Sequence, residues 1–194
     1  MNFEYPAGAT PLDPDAASGL IPSLSTQTEL NEFEEANILS ATLWIARSRL
    51  LKRDYPNVTA LRRVHQQMFD KTWKWAGQFR KTDTNIGIPW PHIPAELHRL
   101  CEDTRYWVEN KVFPWVELGV RFHHQLVFIH PFPNGNGRHA RLATDVLLRQ
   151  HGQRALTWGS RSLTPAGEPR KAYISALKSA DAGDYEPLTA FVQT

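Results

Sequence analysis

The chain has 194 residues, of which 41% are hydrophobic and 22% charged, with a formal net charge of +2. Those proportions suit an ordinary globule of one compact domain, with little room for two. No dense basic run argues for nucleic-acid binding. No apolar run nears the roughly 20 residues of a membrane span, and the start lacks a basic, apolar leader, so the expected location is cytoplasmic. The lone Cys101 excludes an intrachain disulfide and fits a reducing compartment.

Taken in order, residues 1–27 are rich in Pro, Ala, Gly and Ser and read as an irregular arm, with Leu20, Ile21 and Leu24 as its packing residues. From Thr28 to about Leu51 the pattern is helical, with Leu30, Phe33, Asn37, Ala41, Trp44 and Leu51 near one stripe and Thr28 or Asn31 as N-cap. Asp54-Tyr55-Pro56-Asn57 breaks the chain before a helix from Thr59 to about Trp73 that buries Leu61, Val64, Met68 and Phe69. Thr82, Thr84, Ile86 and Ile88 alternate among glycine and prolines, which predicts a short exposed hairpin flap. Helices are expected at Ala95 to Lys111, Trp115 to His130 and Gly135 to about Gln150, then at Glu168 to Ala180 and Asp184 to Phe191. The fold class is therefore mostly α, a helical bundle with one small β-hairpin flap, the domain proper covering residues 28–194.

The chemistry concentrates in His130-Pro131-Phe132-Pro133-Asn134-Gly135-Asn136-Gly137-Arg138, with Arg141 three residues on. An apolar helical run precedes it and another follows, so the segment reads as helix, tight loop, helix. The first turn of the second helix would offer free backbone N–H groups beside Gly135 and Gly137, where an anion can come close. Arg138 and Arg141 fall on one side of that helix. His130 is the candidate proton acceptor, since imidazole titrates near neutrality. Phe132 is read as the apolar anchor of the loop.

This pattern, His-Pro-Phe-x-x-Gly-Asn-Gly-Arg-x-x-Arg, resembles the signature of the Fic family of nucleotidyltransferases. The likeness extends from about Thr28 to Phe191, and the stretches from Thr28 to Glu32, from Trp73 to Arg80 and from Asn85 to Gly87 resemble the bacterial branch called mobile mystery protein B. The resemblance implies a Fic-type bundle that takes ATP as substrate and transfers AMP to a Ser, Thr or Tyr hydroxyl of a target protein. It implies His130 as general base, Gly135, Asn136, Gly137, Arg138 and Arg141 as phosphate contacts, and Tyr173, Leu177 and Asp181 as residues lining the base. It assigns Thr84, Asn85, Ile86 and Gly87 to a target-docking flap. A companion antitoxin or regulator also comes with the family. The implied Mg²⁺ cofactor would meet Asn134, where relatives carry a carboxylate; an uncharged amide oxygen predicts weaker metal binding. Finally, it implies an inhibitory glutamate near the start of the first long helix, best matched by Glu35 and directed at Arg141.

Other readings stand beside this one. Doc-like relatives phosphorylate their targets, but their motif ends in Ala-Asn-Lys-Arg. Asn134 also allows a module that binds nucleotide or protein without turnover. His65, His92, His123, His124 and His139 lack the paired spacing of a zinc hydrolase, although His139 adjoins the arginines.

Overall fold

The computed structural model describes residues 11, 14–159 and 168–194. Much of the expected N-terminal arm therefore lies outside the described residues. The elements are α1 (Pro14–Ala17), α2 (Gln27–Arg47), α3 (Arg49–Arg53), α4 (Val58–Phe69), a 3₁₀ turn at Trp90–His92, α5 (Ile93–Glu109), α6 (Trp115–Ile129), α7 (Asn136–Gln150), α8 (Glu168–Asp181) and α9 (Glu186–Phe191). No described helix is long and apolar enough to cross a membrane.

Local chemistry explains the boundaries. α2 starts one residue before the expected cap because Thr26 and Glu29 form a reciprocal capping box: the Glu29 N–H donates to the Thr26 hydroxyl while the Thr26 N–H donates to the Glu29 carboxylate. Ser48 then ends α2 and caps α3 through the Leu51 N–H, so the long helix expected to Leu51 is two helices. Asn57 caps α4 at Ala60. α4 stops at Phe69, short of Trp73, because Asn37 draws the Lys71 N–H onto its side-chain oxygen at 3.0 Å.

α6 and α7 form the central helical hairpin. α4 packs on α7 and α2, α5 on α6, and α8 with α9 on the other flank of α6. The main core joins Leu61, Met68 and Phe69 of α4 to Leu97, Leu118, Phe122 and Leu147, all nearly solvent-free. A smaller cluster holds Val120, Tyr173, Ala176, Ala180 and Leu188. Cys101 is buried in the main core, which pushes its thiol up to about 12 and leaves it inert. The segment before α2 is tied to the body: Leu20 bridges Trp73, the Ile21 N–H donates to the Thr72 carbonyl, and the Trp75 indole donates to the Ala16 carbonyl at 2.9 Å.

Two expectations are corrected. Residues 82–88 form no strand; the segment is a loop of bends. Its carbonyls at Thr82 and Ile88 are taken by the Arg80 guanidinium, and the Asp83 carboxylate accepts the Trp90 N–H, so side chains supply the bonds a ladder would have made. Phe33, placed on the buried stripe of α2, is exposed, and Glu34 faces inward in its stead.

Among the buried imidazoles are those of His65, His123, His130 and His139. Burial is the main cause that pulls each below its ordinary value, to about 3 for His123 and about 4 for His130 and His139. The unfolded chain protonates near pH 6.5 and the folded chain only well below it. Stability is thus complete above that value and declines as pH falls towards 3, by about 1.4 kcal/mol per pH unit for each imidazole concerned. Thermal melts followed by circular dichroism should show a melting temperature level from pH 8 to 7 and falling steeply from pH 6 to 4.5. A flat profile across that range would contradict the buried neutral histidines.

Candidate active site at the α6–α7 loop

The loop between α6 and α7 starts at a strained position. His130 closes α6 in the left-handed region, at φ 54° and ψ 59°, which costs a non-glycine residue on the order of 1 kcal/mol or more. Its N–H donates to the Leu126 carbonyl and its own carbonyl accepts from Arg80 Nε at 2.7 Å. The ring is 5% exposed, lies against the Val127 carbonyl, and is held neutral by burial first and the Arg80 cation second.

Phe132 anchors the next turn, fully buried. Its ring stacks on His65 at 3.7 Å and meets His139 edge-on at 5.0 Å. The tautomer of His65 follows from its partners. Nδ1 accepts the Gly77 N–H, so Nε2 carries the proton and donates to the Asn134 carbonyl at 3.0 Å. His139, although next to Arg138 in sequence, points inward to the Leu61 carbonyl at 2.9 Å.

Asn136 is also structural in its contacts. Its amide donates to the Phe132 carbonyl and accepts the Phe132 N–H, at 2.8 and 2.9 Å, closing the loop on itself instead of reaching outward for phosphate. Gly135 is required by the turn: φ is 77°, and a Cβ there would sit 2.6 Å from the Phe69 ring. Gly137 differs. A Cβ there would meet Tyr173 Oη at 3.9 Å and nothing nearer, so the protein's own packing does not explain it. Because Gly135 caps α7 without a side chain, the N–H groups of Asn136, Gly137 and Arg138 are left without intrahelical acceptors.

The cations gather beside these donors. Arg138 extends over the Phe69 ring and pairs with Glu34 at 2.6 Å. Arg141 lies near the Tyr173 ring, 6.0 Å from its centroid. Burial pulls both Arg141 and Arg170 below the ordinary guanidinium range, and the Arg138 charge adds to the effect. Arg170 is an addition: it stands at the start of α8, and only folding brings it to the loop. Tyr173 is buried, with its hydroxyl against His123 Nε2 at 2.8 Å. Asp181 instead pairs with His124 at 2.8 Å, and Leu177 is half-buried in the smaller core.

The glutamate facing the motif is Glu34, not Glu35. Glu34 is 6% exposed and accepts from the Trp73 indole at 2.7 Å as well as from Arg138, whereas Glu35 lies on the outer face of α2. The partner is likewise Arg138 and not Arg141. Asn134 does not present a metal ligand. Its side-chain oxygen accepts the Gly135 N–H at 2.6 Å, the loop holds no carboxylate, and among the described residues no group of three or more His, Cys, Asp or Glu is placed to hold a metal. These residues do not fit a resident Mg²⁺.

Residues 55–148 match the sequence model of the Fic/DOC family. Over 120 residues the chain is 32% identical to Protein adenylyltransferase Fic of Drosophila grimshawi, covering 60% of this chain and 23% of that protein. Over 168 residues it is 26% identical to the Aedes aegypti protein of the same name, covering 84% of this chain and 32% of that one. The chain thus spans a third or less of those relatives' length. Among solved structures, Fic-1 (residues 134–508) from C. elegans superposes with a TM-score of 0.69 at 22% identity, covering 91% of this chain and 51% of that chain. BepC from Bartonella tribocorum, solved with bound AMPPNP, gives 0.64 at 19% identity, covering 88% and 87%. The matched segment, residues 55–148, built around the loop just described, is a Fic/DOC-family domain.

Proposed function

We propose that the chain is a protein adenylyltransferase that takes ATP and moves AMP onto a Ser, Thr or Tyr hydroxyl of another protein. The observation that carries this reading is the juxtaposition of a neutral His130 with uncapped N–H groups at the start of α7, beside Gly137 and the cations Arg138 and Arg141. The relatives' name and the AMPPNP in BepC support the same reading. The hydroxyl oxygen attacks the α-phosphorus, the bond from that phosphorus to the bridging oxygen breaks, and pyrophosphate leaves. The hydroxyl proton passes to the imidazole nitrogen that does not face Val127. A neutral ring is required for that step, and burial supplies one throughout the neutral range. The helix N-terminus and the arginines meet the phosphate charge. The loop offers a metal no charged ligand.

The site is restrained by its own α2. Glu34 occupies Arg138, a guanidinium that a phosphate would otherwise claim through the same fork. The carboxylate is held for that task by the Trp73 indole, so Glu34 is the inhibitory residue in place of Glu35.

ATP labelled separately at the α- and γ-phosphates tests the activity. Label from the α position should appear on protein and drop at least about 100-fold in His130→Ala. Label from γ alone would make the chain a kinase, and no label from either would leave a binding module. For the restraint, Glu34→Ala should raise α-label incorporation roughly tenfold, within the usual span of coupling between sites. Glu35→Ala should leave it unchanged. Equal incorporation by parent and Glu34→Ala would dismiss the inhibitory role while leaving the transfer reading intact.

A further inference from the structure

Arg80 contributes to neither the phosphate cradle nor the inhibitory pair, yet its guanidinium is among the most enclosed charges of the structure, with 2% of the side chain exposed. It divides its donors between two segments. Nε donates to the His130 carbonyl at 2.7 Å and Nη2 to the Ile129 carbonyl at 3.4 Å, at the negative end of α6. On the other side Nη1 donates to the Thr82 carbonyl at 2.9 Å, and Nη2 also reaches the Ile88 carbonyl. The Arg80 N–H adds a bond to the Pro131 carbonyl at 3.0 Å, while Asp83, largely exposed, stands 3.7 Å from Nη1. The 82–88 loop, bound in this way at both ends, presses directly on the base. A Cβ at Gly87 would lie 2.5 Å from His130 Cβ, 3.0 Å from Arg80 Nη2 and 3.3 Å from the Ile129 carbonyl.

We infer that Arg80 is a positioning residue that couples the exposed 82–88 loop to the backbone of His130, setting the distance between a docked hydroxyl and the imidazole. The inference rests on the proposed role of His130 as base. Three considerations carry it. The loop forms no strand, so Arg80 supplies tethers that a sheet would otherwise provide. A planar fork reaches carbonyls on two sides at once, which a lysine ammonium cannot do. The left-handed conformation at His130 is costly for a residue other than glycine, and the bond its carbonyl accepts from Arg80 Nε at 2.7 Å helps to hold it.

Arg80→Met and Arg80→Lys, made in the whole chain, test the coupling. In Arg80→Met, amide hydrogen exchange over residues 82–88 should quicken at least tenfold, and the ¹⁵N-monitored titration of the His130 imidazole should move to higher pH, since the cation that adds to the effect of burial is gone. Transfer of α-label should fall at least tenfold with the KM for ATP within twofold of the parent, because the cradle is untouched. Arg80→Lys should bring the His130 titration back towards the parent's yet leave the 82–88 amides fast, since it restores charge without the fork. An Arg80 that only ties down the loop would lower the melting temperature and quicken exchange at 82–88 without moving the His130 titration or the transfer rate. Should Arg80→Met fail to fold, Gly87→Ala carries the test, since its Cβ pushes the loop from His130 with Arg80 intact and should cut transfer at constant KM for ATP. An unmoved His130 titration with undiminished transfer in folded Arg80→Met, or full transfer in Gly87→Ala, overturns the inference. If the parent transfers nothing, the adenylyltransferase reading fails on its own, and exchange and ring state still decide the coupling.

Discussion

The stacking of Phe132 on a neutral His65 is the contact on which the site depends. Phe132 lies in the middle of a loop with no regular structure, between a helix that ends in a strained conformation and one that begins without a side-chain cap. Burying its ring against His65, His139 and Phe79 gives that loop a place in the core. The imidazole does two jobs at once. Its face takes the phenyl ring, and its two nitrogens join the Gly77 turn to the Asn134 carbonyl. Protonating His65 would remove the acceptor at Nδ1, so the geometry of the loop is tied to the neutrality of a fully buried ring.

Around this anchor the electrostatics are one-sided. Arg138, Arg141 and Arg170 converge from α7 and α8, and the partial positive charge of the α7 N-terminus points the same way. Their mutual repulsion is costly, and the structure answers it with the buried carboxylate of Glu34 from α2 and with Asp145 beside Arg141. Glu34 reaches this position because Asn37, one turn on, is fixed to the Lys71 and Thr72 region and to the Gln67 carbonyl, which sets the rotation of α2 against α4. The Trp73 indole then fixes the carboxylate itself. Trp73 and Trp75 stack on each other, and the segment before α2 is bonded to both sides of that pair. The carboxylate, the indoles and the segment from α1 to Ile21 therefore form one continuous set of contacts ending at Arg138.

The same reasoning accounts for the motif residues that turn out to serve the loop itself. Asn136 closes the turn on Phe132, Asn134 caps the Gly135 N–H, and Gly135 yields space to Phe69. A short loop that must reverse direction between two packed helices consumes most of its own polar groups. What remains for a ligand is the backbone of α7, the relief offered by Gly137, the arginines and the imidazole.

Much of this was legible in the residues alone. The order of the helices, the break at Tyr55-Pro56, the helix–loop–helix around His130 and the burial of Leu61, Val64, Met68 and Phe69 follow from periodicity and from the local rules of caps and turns, which involve neighbours a few positions away. The inner face of α2 was not legible. Hydrophobic spacing favours Phe33 and leaves Glu34 to solvent, because a buried carboxylate makes sense only once Trp73 and Arg138, 39 and 104 residues away, are known to wait for it. The 82–88 loop misleads for a similar reason: alternation of Thr and Ile suggests a strand, but the donors that its carbonyls accept come from Arg80, a side chain whose reach no pattern encodes. Sequence by itself determined which segments are helical and where the reactive residues cluster, since both depend on short-range geometry. The tertiary structure decided which charges meet and which polar groups are used up internally, since those depend on distances between residues far apart in the chain.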